Sequence, residues 1–176
     1  MKRFISKYNT DSAFFKPDKF FFDKKAGFVS LRWLPYFANV RRDGYDFDAL
    51  WDEGKASFRK KKIMDCFSDG QEWFSFAAKQ AAGFGKDGEK NFEGIVTELQ
   101  MQTYLVVRDF RQKRNKKGQP YGWHIAVYTM PETIWGYEML SAAYTEEPAF
   151  SRARITEHIQ TVYPIATEQQ IKSLLR

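Results

Sequence analysis

The sequence predicts an α+β fold that is mainly helical, and three observations lead to this class. Apolar residues recur at helical spacing in several segments of the chain. In residues 104–128 the period changes to two, which is typical of strands. The middle of that stretch is polar and contains Asn115 and Gly118, which favour a turn between two strands. The class therefore combines helices with one β-hairpin.

Length and composition indicate one domain, which we expect in the cytoplasm. The 176 residues are 43% apolar and 18% aromatic, so the chain can build a core of its own. The only cysteine, Cys66, excludes an internal disulfide framework and suits a reducing compartment. The first fifteen residues lack the apolar run of a signal peptide, and no run of 18 apolar residues predicts a membrane span.

The segments before residue 68 predict helices with one ambiguous stretch. Residues 20–22 are three phenylalanines, which fit a strand or a buried helix alike. A helix is plausible over residues 30–40, although Pro35 argues against a long one, and residues 41–44 predict a turn. Asp46 or Asp48 can then cap a helix that runs to about Phe67.

Two more helices precede the hairpin. Ser75 can cap a short one that Gly83 ends as the C′ glycine. Asn91 can cap the next, in which apolar residues from Phe92 to Leu99 follow helical spacing. The two strand-like runs of the hairpin then alternate apolar and polar residues over 104–110 and 123–128.

The order helix, short helix, helix, hairpin predicts a winged helix over residues 45–130. We expect residues 1–44 to be a helical or irregular segment packed on that core, and residues 131–176 to be a C-terminal helical extension. Within the extension, Pro131 predicts the first residue of a helix to about residue 144, and another helix covers about 148–162. Thr167 with Gln170 forms a capping box for the last helix. The three parts are predicted to form one compact unit.

Two short segments hold the positive excess of the chain, whose net charge is +6. Residues 108–117 carry +5 and residues 59–62 carry +4, so the remainder is acidic. Cations on a hairpin tip can neutralise DNA phosphates, and the alternative is a solvated tip whose charges discourage edge pairing. We favour phosphate binding, by Arg111, Lys113, Arg114, Lys116 and Lys117. For residues 59–62 we favour a solvated helix face.

The helix before the hairpin offers few side chains for reading bases. Beyond its apolar residues it carries Glu93 and Glu98, which repel phosphates, together with a few amides. We therefore expect low sequence specificity. Gln100 and Gln102 lie about 200° apart on a helix, and could bracket a water or a sugar only if the backbone bends there. The alternative, which we favour, is that both are ordinary surface amides.

Other candidate groups predict no metal site and no cofactor. His124 and His158 are far apart in sequence, with no carboxylate spacing around them that suggests a metal. The aromatic residues of 121–123 and 135–137 could stack on unpaired bases, but packing in the core or at an interface is the interpretation we favour.

Several stretches resemble a known family: residues 22–28, 41–50, 91–94, 99–105, 108–112 and 121–123. Together they resemble small bacterial proteins described as AlkZ-related. The resemblance covers most of the chain from about Phe22 and implies a winged helix related to AlkZ, a DNA glycosylase that removes alkylated purines. AlkZ-type enzymes use a Gln-hydrophobic-Gln motif to position the attacking water, and Gln100-Met101-Gln102 matches it in letters. AlkZ proteins are longer and have tandem winged helices, whereas this sequence has room for one wing.

These observations leave three functions open. The leading one is a winged-helix DNA-binding protein of low sequence specificity with a link to DNA repair. The second is a DNA glycosylase that uses Gln100 and Gln102 on alkylated bases. The third is a non-enzymatic interaction domain, in which surplus aromatic residues form a homodimer or scaffold interface.

Overall fold

The computed structural model describes residues 12–15 and 27–175. The strands of this part are β1 (Ser12–Phe15), β2 (Gly27–Ser30), β3 (Trp73–Phe74), β4 (Val106–Arg114) and β5 (Pro120–Thr129). The helices are α1 (Leu34–Arg42), α2 (Phe47–Asp52), α3 (Phe58–Met64), α4 (Ser75–Ala81), α5 (Phe92–Met101), α6 (Pro131–Trp135), α7 (Tyr137–Ser141), α8 (Pro148–Val162) and α9 (Glu168–Leu174). The predicted α+β class is confirmed. The ambiguous residues 20–22 and the first eleven residues lie outside the described part.

The predicted hairpin is present as β4 and β5, the longest strands of the described part. They pair antiparallel from Val106 opposite Thr129 to Arg114 opposite Pro120. The sequence did not predict β3, which pairs with the other edge of β5 and makes that strand central in the order β3-β5-β4. A two-residue strand is too short for alternation to be recognised.

One hydrophobic core lies between this sheet and the helices α2 to α5. The predicted apolar stripe of α5 is buried in it, with Leu99 fully inaccessible to solvent. Phe67 and Tyr104 are its largest buried side chains. Burying a large apolar side chain stabilises a fold by about 1.5–3 kcal/mol. This stripe therefore fixes α5 against the root of the hairpin.

A second core surrounds α1. Leu34 and Phe37 of α1 pack with Val29 of β2, and α8 and α9 contribute Ile155 and Leu174. The small sheet β1-β2 is antiparallel and covers part of this core. In the described residues, none of the helices is long and apolar enough to cross a membrane.

The predicted continuous helix from Asp46 to Phe67 is wrong. Asp46 does cap its first part, by accepting a hydrogen bond from the backbone N–H of Ala49. Helix α2 ends at Asp52, however, because Gly54 adopts φ +70°, a left-handed conformation that no helix interior allows. Ser57 then caps α3 as a separate helix.

Two predicted caps differ from the structure. Ser75 is the first residue of α4 rather than its cap, because the preceding two residues are extended in β3. Asn91 occupies the N-cap position of α5, but its φ is +67° and its side chain makes no capping hydrogen bond. It packs instead on Gly94, where an added Cβ would overlap the Asn91 Oδ1. Gly83 is confirmed as the C′ residue of α4, at φ +75°.

The C-terminal predictions are largely confirmed. Pro131 begins α6 as predicted, but the helix does not continue to residue 144 because Gly136, at φ +84°, separates α6 from α7. Helix α8 has the predicted bounds, and the capping box of Thr167 and Gln170 is present in α9.

The helix expected over residues 30–40 begins only at Leu34, since β2 extends to Ser30.

Candidate nucleic-acid interface

The tip of the hairpin is an ordered turn rather than an open loop. The Asn115 side-chain oxygen accepts hydrogen bonds from the backbone N–H groups of Lys117 and Gln119. Gly118 takes φ +76° and donates its N–H to the Asn115 carbonyl. Arg114 Nη1 also donates to the Gly118 carbonyl at 2.7 Å. The chain therefore presents its tip cations on a defined backbone.

The five predicted phosphate-binding residues share this hairpin, but the structure divides them into two groups. Arg111 lies in the middle of β4, opposite Ile125, and pairs with Glu72 at 2.7 Å and with Asp109 at 3.0 Å. Burial lowers the pKa of Arg111, but its hydrogen bonds with the two carboxylates outweigh this and raise the pKa overall. The other cations form no ion pair with the described residues: Lys113, Arg114, Lys116 and Lys117.

The second basic run, residues 59–62, is neutralised by carboxylates from other elements. Arg59 and Lys62 both pair with Glu89. Lys60 pairs with Glu98 of α5 at 3.2 Å, and Lys61 with Asp65 one turn further along. This run is therefore a helix face whose cations are paired with carboxylates. It is not a second basic patch, which agrees with the helix face that the sequence favours over phosphate binding.

The two glutamines of the Gln-hydrophobic-Gln triplet lie in different environments. Gln100 is 1% exposed, and its side chain is in hydrogen-bond contact with the Tyr128 hydroxyl of β5. Gln102 is half-buried at the C-cap of α5, where its Oε1 accepts a hydrogen bond from Lys60 at 2.9 Å. The backbone does bend at this junction, since Thr103 has φ +63°. The bend follows the triplet, however, and does not bring the two amides together.

Two buried arginines organise the same junction, and sequence reasoning missed both. Arg41 donates hydrogen bonds to the carbonyl of Met101, at 2.7 Å, and to that of Leu174. It therefore joins the end of α5 to α9. Burial lowers the pKa of Arg41 to about 10. A signal was present, because Arg41 lies seven residues after Leu34, in phase with the apolar stripe of α1.

Arg42 is the centre of a buried polar network. Its guanidinium donates to the side chain and to the carbonyl of Thr103, and forms an ion pair with Glu132 of α6. It also lies 4.6 Å from the centre of the Tyr104 ring. Burial lowers the pKa of Arg42, but Glu132 and the neighbouring tyrosine Tyr144 raise it more, so the net pKa lies above the ordinary value. The network fixes the connection from α5 to β4.

A cavity of about 280 Å³ opens beside this network. Tyr104 and Glu132 belong both to its lining and to the surroundings of Arg42. Among the described residues, its lining has one basic side chain, Lys61, against four carboxylates: Asp46, Asp48, Asp65 and Glu132. Neither Gln100 nor Gln102 is among the lining residues. Its acidic lining makes this cavity a poor site for a phosphate.

Tyr121 and Trp123, the aromatic residues nearest the tip of the hairpin, are not packed in the core. Trp123 is 92% exposed and Tyr121 is 50% exposed, so of the two kinds of packing that the sequence favours, core packing does not apply to this pair and interface packing stays a prediction. In the second pair that the sequence indicated, Trp135 is half-buried and Tyr137 is exposed. The hairpin therefore carries accessible rings as well as cations.

Among the described residues, the two histidines and the cysteine show no arrangement that suggests catalysis or metal binding. His124 is exposed on β5, and the His158 ring stacks on Trp33 at 4.3 Å. Cys66 is half-buried, and burial raises the pKa of its thiol. In residues 12–15 and 27–175, no three His, Cys, Asp or Glu side chains are grouped so that they could hold a metal ion.

Comparison with known proteins gives one match. A family model described as AlkZ related matches residues 19–176. No curated protein and no solved structure matches the chain significantly. Because the family model spans most of the sequence, including α1, α5 and the hairpin, the chain belongs to the AlkZ-related family.

Proposed function

We propose that residues 45–130 form a winged helix that binds DNA through its backbone, with low sequence specificity and a role linked to DNA repair. The order α3, β3, α4, α5, β4, β5 and the sheet order β3-β5-β4 support the winged helix. In that arrangement α5 takes the place of the helix that enters the major groove, and the β4–β5 hairpin is the wing.

One observation carries the proposal: the wing tip holds four cations that form no ion pair with the described residues, while the run at 59–62 is fully paired. A lysine or arginine that is in no ion pair can neutralise a phosphate without first losing a carboxylate partner. The tip therefore gathers cations that can bind DNA phosphates without breaking an ion pair.

The surface of α5 supports low specificity. Its exposed side chains include Glu93 and Glu98, and the amide of Gln100 is buried. The Gln102 amide already bonds Lys60. These groups leave little that could form the bidentate contacts with base edges on which direct readout depends.

The test is the salt dependence of duplex binding. We expect the plot of log K against log salt to become shallower by up to about 1.8 in the double variant Lys116→Ala/Lys117→Ala, because each phosphate contact contributes about 0.9 to the slope. The matched control is Arg59→Ala/Lys62→Ala, which removes two cations from the paired run and should leave the slope unchanged. Equal slopes for the wing variant and the wild-type protein would refute the proposal.

Base excision is the second candidate, and membership of the AlkZ-related family favours it, although neither Gln100 nor Gln102 lines the cavity of about 280 Å³. Gln102 is the glutamine that could contact DNA in this conformation, because Gln100 is buried. The test is an abasic-site assay on alkylated DNA, with Gln102→Ala and Gln100→Ala compared at matched stability. Strand cleavage no faster than without protein would exclude the activity.

A further inference from the structure

Trp123 is far more exposed than a tryptophan in a strand normally is. It is 92% accessible, and the other four tryptophans of the chain are all half-buried. A fully exposed indole leaves a large apolar surface in water, which folding alone does not favour. Its exposure therefore indicates a surface that binds a ligand or a partner.

The backbone of the hairpin holds Trp123 outward. Lys113 pairs with Tyr121, and Arg111 pairs with Ile125, so three residues of β5 lie opposite the single residue Gln112 of β4. This is a bulge with Trp123 at its centre. A β-bulge changes the direction of a side chain locally, and bulges are common beside functional sites.

Two contacts stabilise the bulge. The Gln112 side chain donates a hydrogen bond to the carbonyl of Gly122 at 2.8 Å. Gly122 adopts φ +73°, which a side chain would strain. The position of the indole is thus set by the backbone, without any packing of the ring itself against the core.

Two cations lie between this ring and the tip of the hairpin. Tyr121, half exposed, pairs with Lys113 across the strands, and Pro120 pairs with Arg114. Lys113 also lies 4.2 Å from the centre of the exposed Phe76 ring. Accessible rings next to unpaired cations match a ligand that has both flat π faces and negative charge.

We propose that Trp123 stacks on an unpaired base of single-stranded DNA while the neighbouring wing cations hold the adjacent phosphates. This rests on the proposed function, since it uses the same wing. The bases of an intact duplex are already stacked on one another, whereas a single strand offers a free face to an aromatic ring. The wing therefore prefers single-stranded or locally opened DNA to closed duplex.

The experiment compares a fluorescein-labelled oligothymidylate with a blunt duplex of equal length at one salt concentration. In Trp123→Ala we expect single-strand affinity to fall about 5- to 150-fold, as for the loss of one stacked base. Duplex affinity should change less than twofold. Trp123→Phe keeps a ring and should recover most of the single-strand affinity. Phe150→Ala, at an exposed aromatic residue of α8, is the matched control and should change neither.

Tryptophan emission gives a second readout. Binding of the oligothymidylate should quench the emission of the wild-type protein, and most of this quenching should be absent in Trp123→Phe. The thermal midpoints of both variants should equal that of the wild-type protein, because the Trp123 ring is 92% exposed and its loss removes little packing from the described residues.

The outcomes separate the two proposals. Equal losses on single strand and duplex, or no loss on single strand, overturn the stacking role of Trp123. If, in the same assays, Lys116→Ala/Lys117→Ala leaves both affinities unchanged, the proposed wing binding fails as well. A Trp123→Ala variant that loses self-association but keeps its DNA affinity assigns the ring to a protein interface and also overturns the stacking role.

Discussion

Replacing Arg42 by methionine tests the buried network most directly. Methionine keeps the apolar stem of the side chain but removes a guanidinium whose side chain is 1% exposed. The substitution deletes two hydrogen bonds to Thr103 and the ion pair with Glu132. It also deletes the contact with the Tyr104 ring.

The magnitude follows from what the change leaves behind. Removing one partner of a buried ion pair costs about 3–5 kcal/mol, chiefly because the other charge stays buried without compensation. The Glu132 side chain retains 16% exposure, so water can partly solvate its carboxylate. We therefore expect the free energy of unfolding to fall by about 3–4 kcal/mol.

The assay is urea unfolding at pH 7, followed by circular dichroism. The double variant Arg42→Met/Glu132→Gln should lose less than the sum of its two single variants, by about 1–2 kcal/mol, because it removes both charges together. Arg152→Met, at an exposed arginine of α8, should stay within about 0.5 kcal/mol of the wild-type protein. A loss below about 1 kcal/mol in Arg42→Met would refute the stabilising role of the network.

Three further outcomes are expected. Burial raises the pKa of Tyr128 to about 12. The protonated phenol therefore contributes fully to stability below about pH 10, and this contribution is lost as the pH rises toward 12. In Tyr128→Phe the free energy of unfolding, measured by urea unfolding, should fall less steeply in that window, by about 1.4 kcal/mol per pH unit. Gly88→Ala should destabilise the turn before α5, because its Cβ would overlap the Gly83 carbonyl oxygen; unchanged amide hydrogen exchange in residues 83–89 would contradict this. Thr167→Ala should cost about 1 kcal/mol of unfolding free energy through loss of the capping box with Gln170, and a thermal midpoint equal to the wild-type value would count against it.

Local patterns in the sequence were sufficient for the hairpin and most helices. Alternation predicted β4 and β5, and the pair Thr167 and Gln170 predicted the start of α9. Each of these signals involves residues that are near one another in the chain. The prediction of one long helix failed for a local reason too, since Gly54, inside the predicted range, has the residue type that stops a helix.

The candidate site was harder to predict because its partners come from distant segments. Arg42 meets Glu132, 90 residues away. Glu89 neutralises two cations of α3, so the charge of residues 59–62 could not be judged from that run alone. The exposure of Trp123 depends on a bulge, which alternation in one strand does not reveal. The placement of the tip cations on a hairpin could be predicted because two adjacent strands and their turn need no distant partner.

The contacts of Arg41 also bear on the order in which the chain folds. Its two carbonyl partners are 60 and 133 residues away in sequence, whereas the core around α5 and the hairpin joins segments between Phe47 and Tyr128. Contacts of large sequence separation close long loops and tend to form late. We therefore expect substitutions at the α1–α9 junction to accelerate unfolding while leaving the folding rate nearly unchanged, as low φ-values would report. The lifetime of the native position of the hairpin would then depend on an arginine that belongs to neither of its strands.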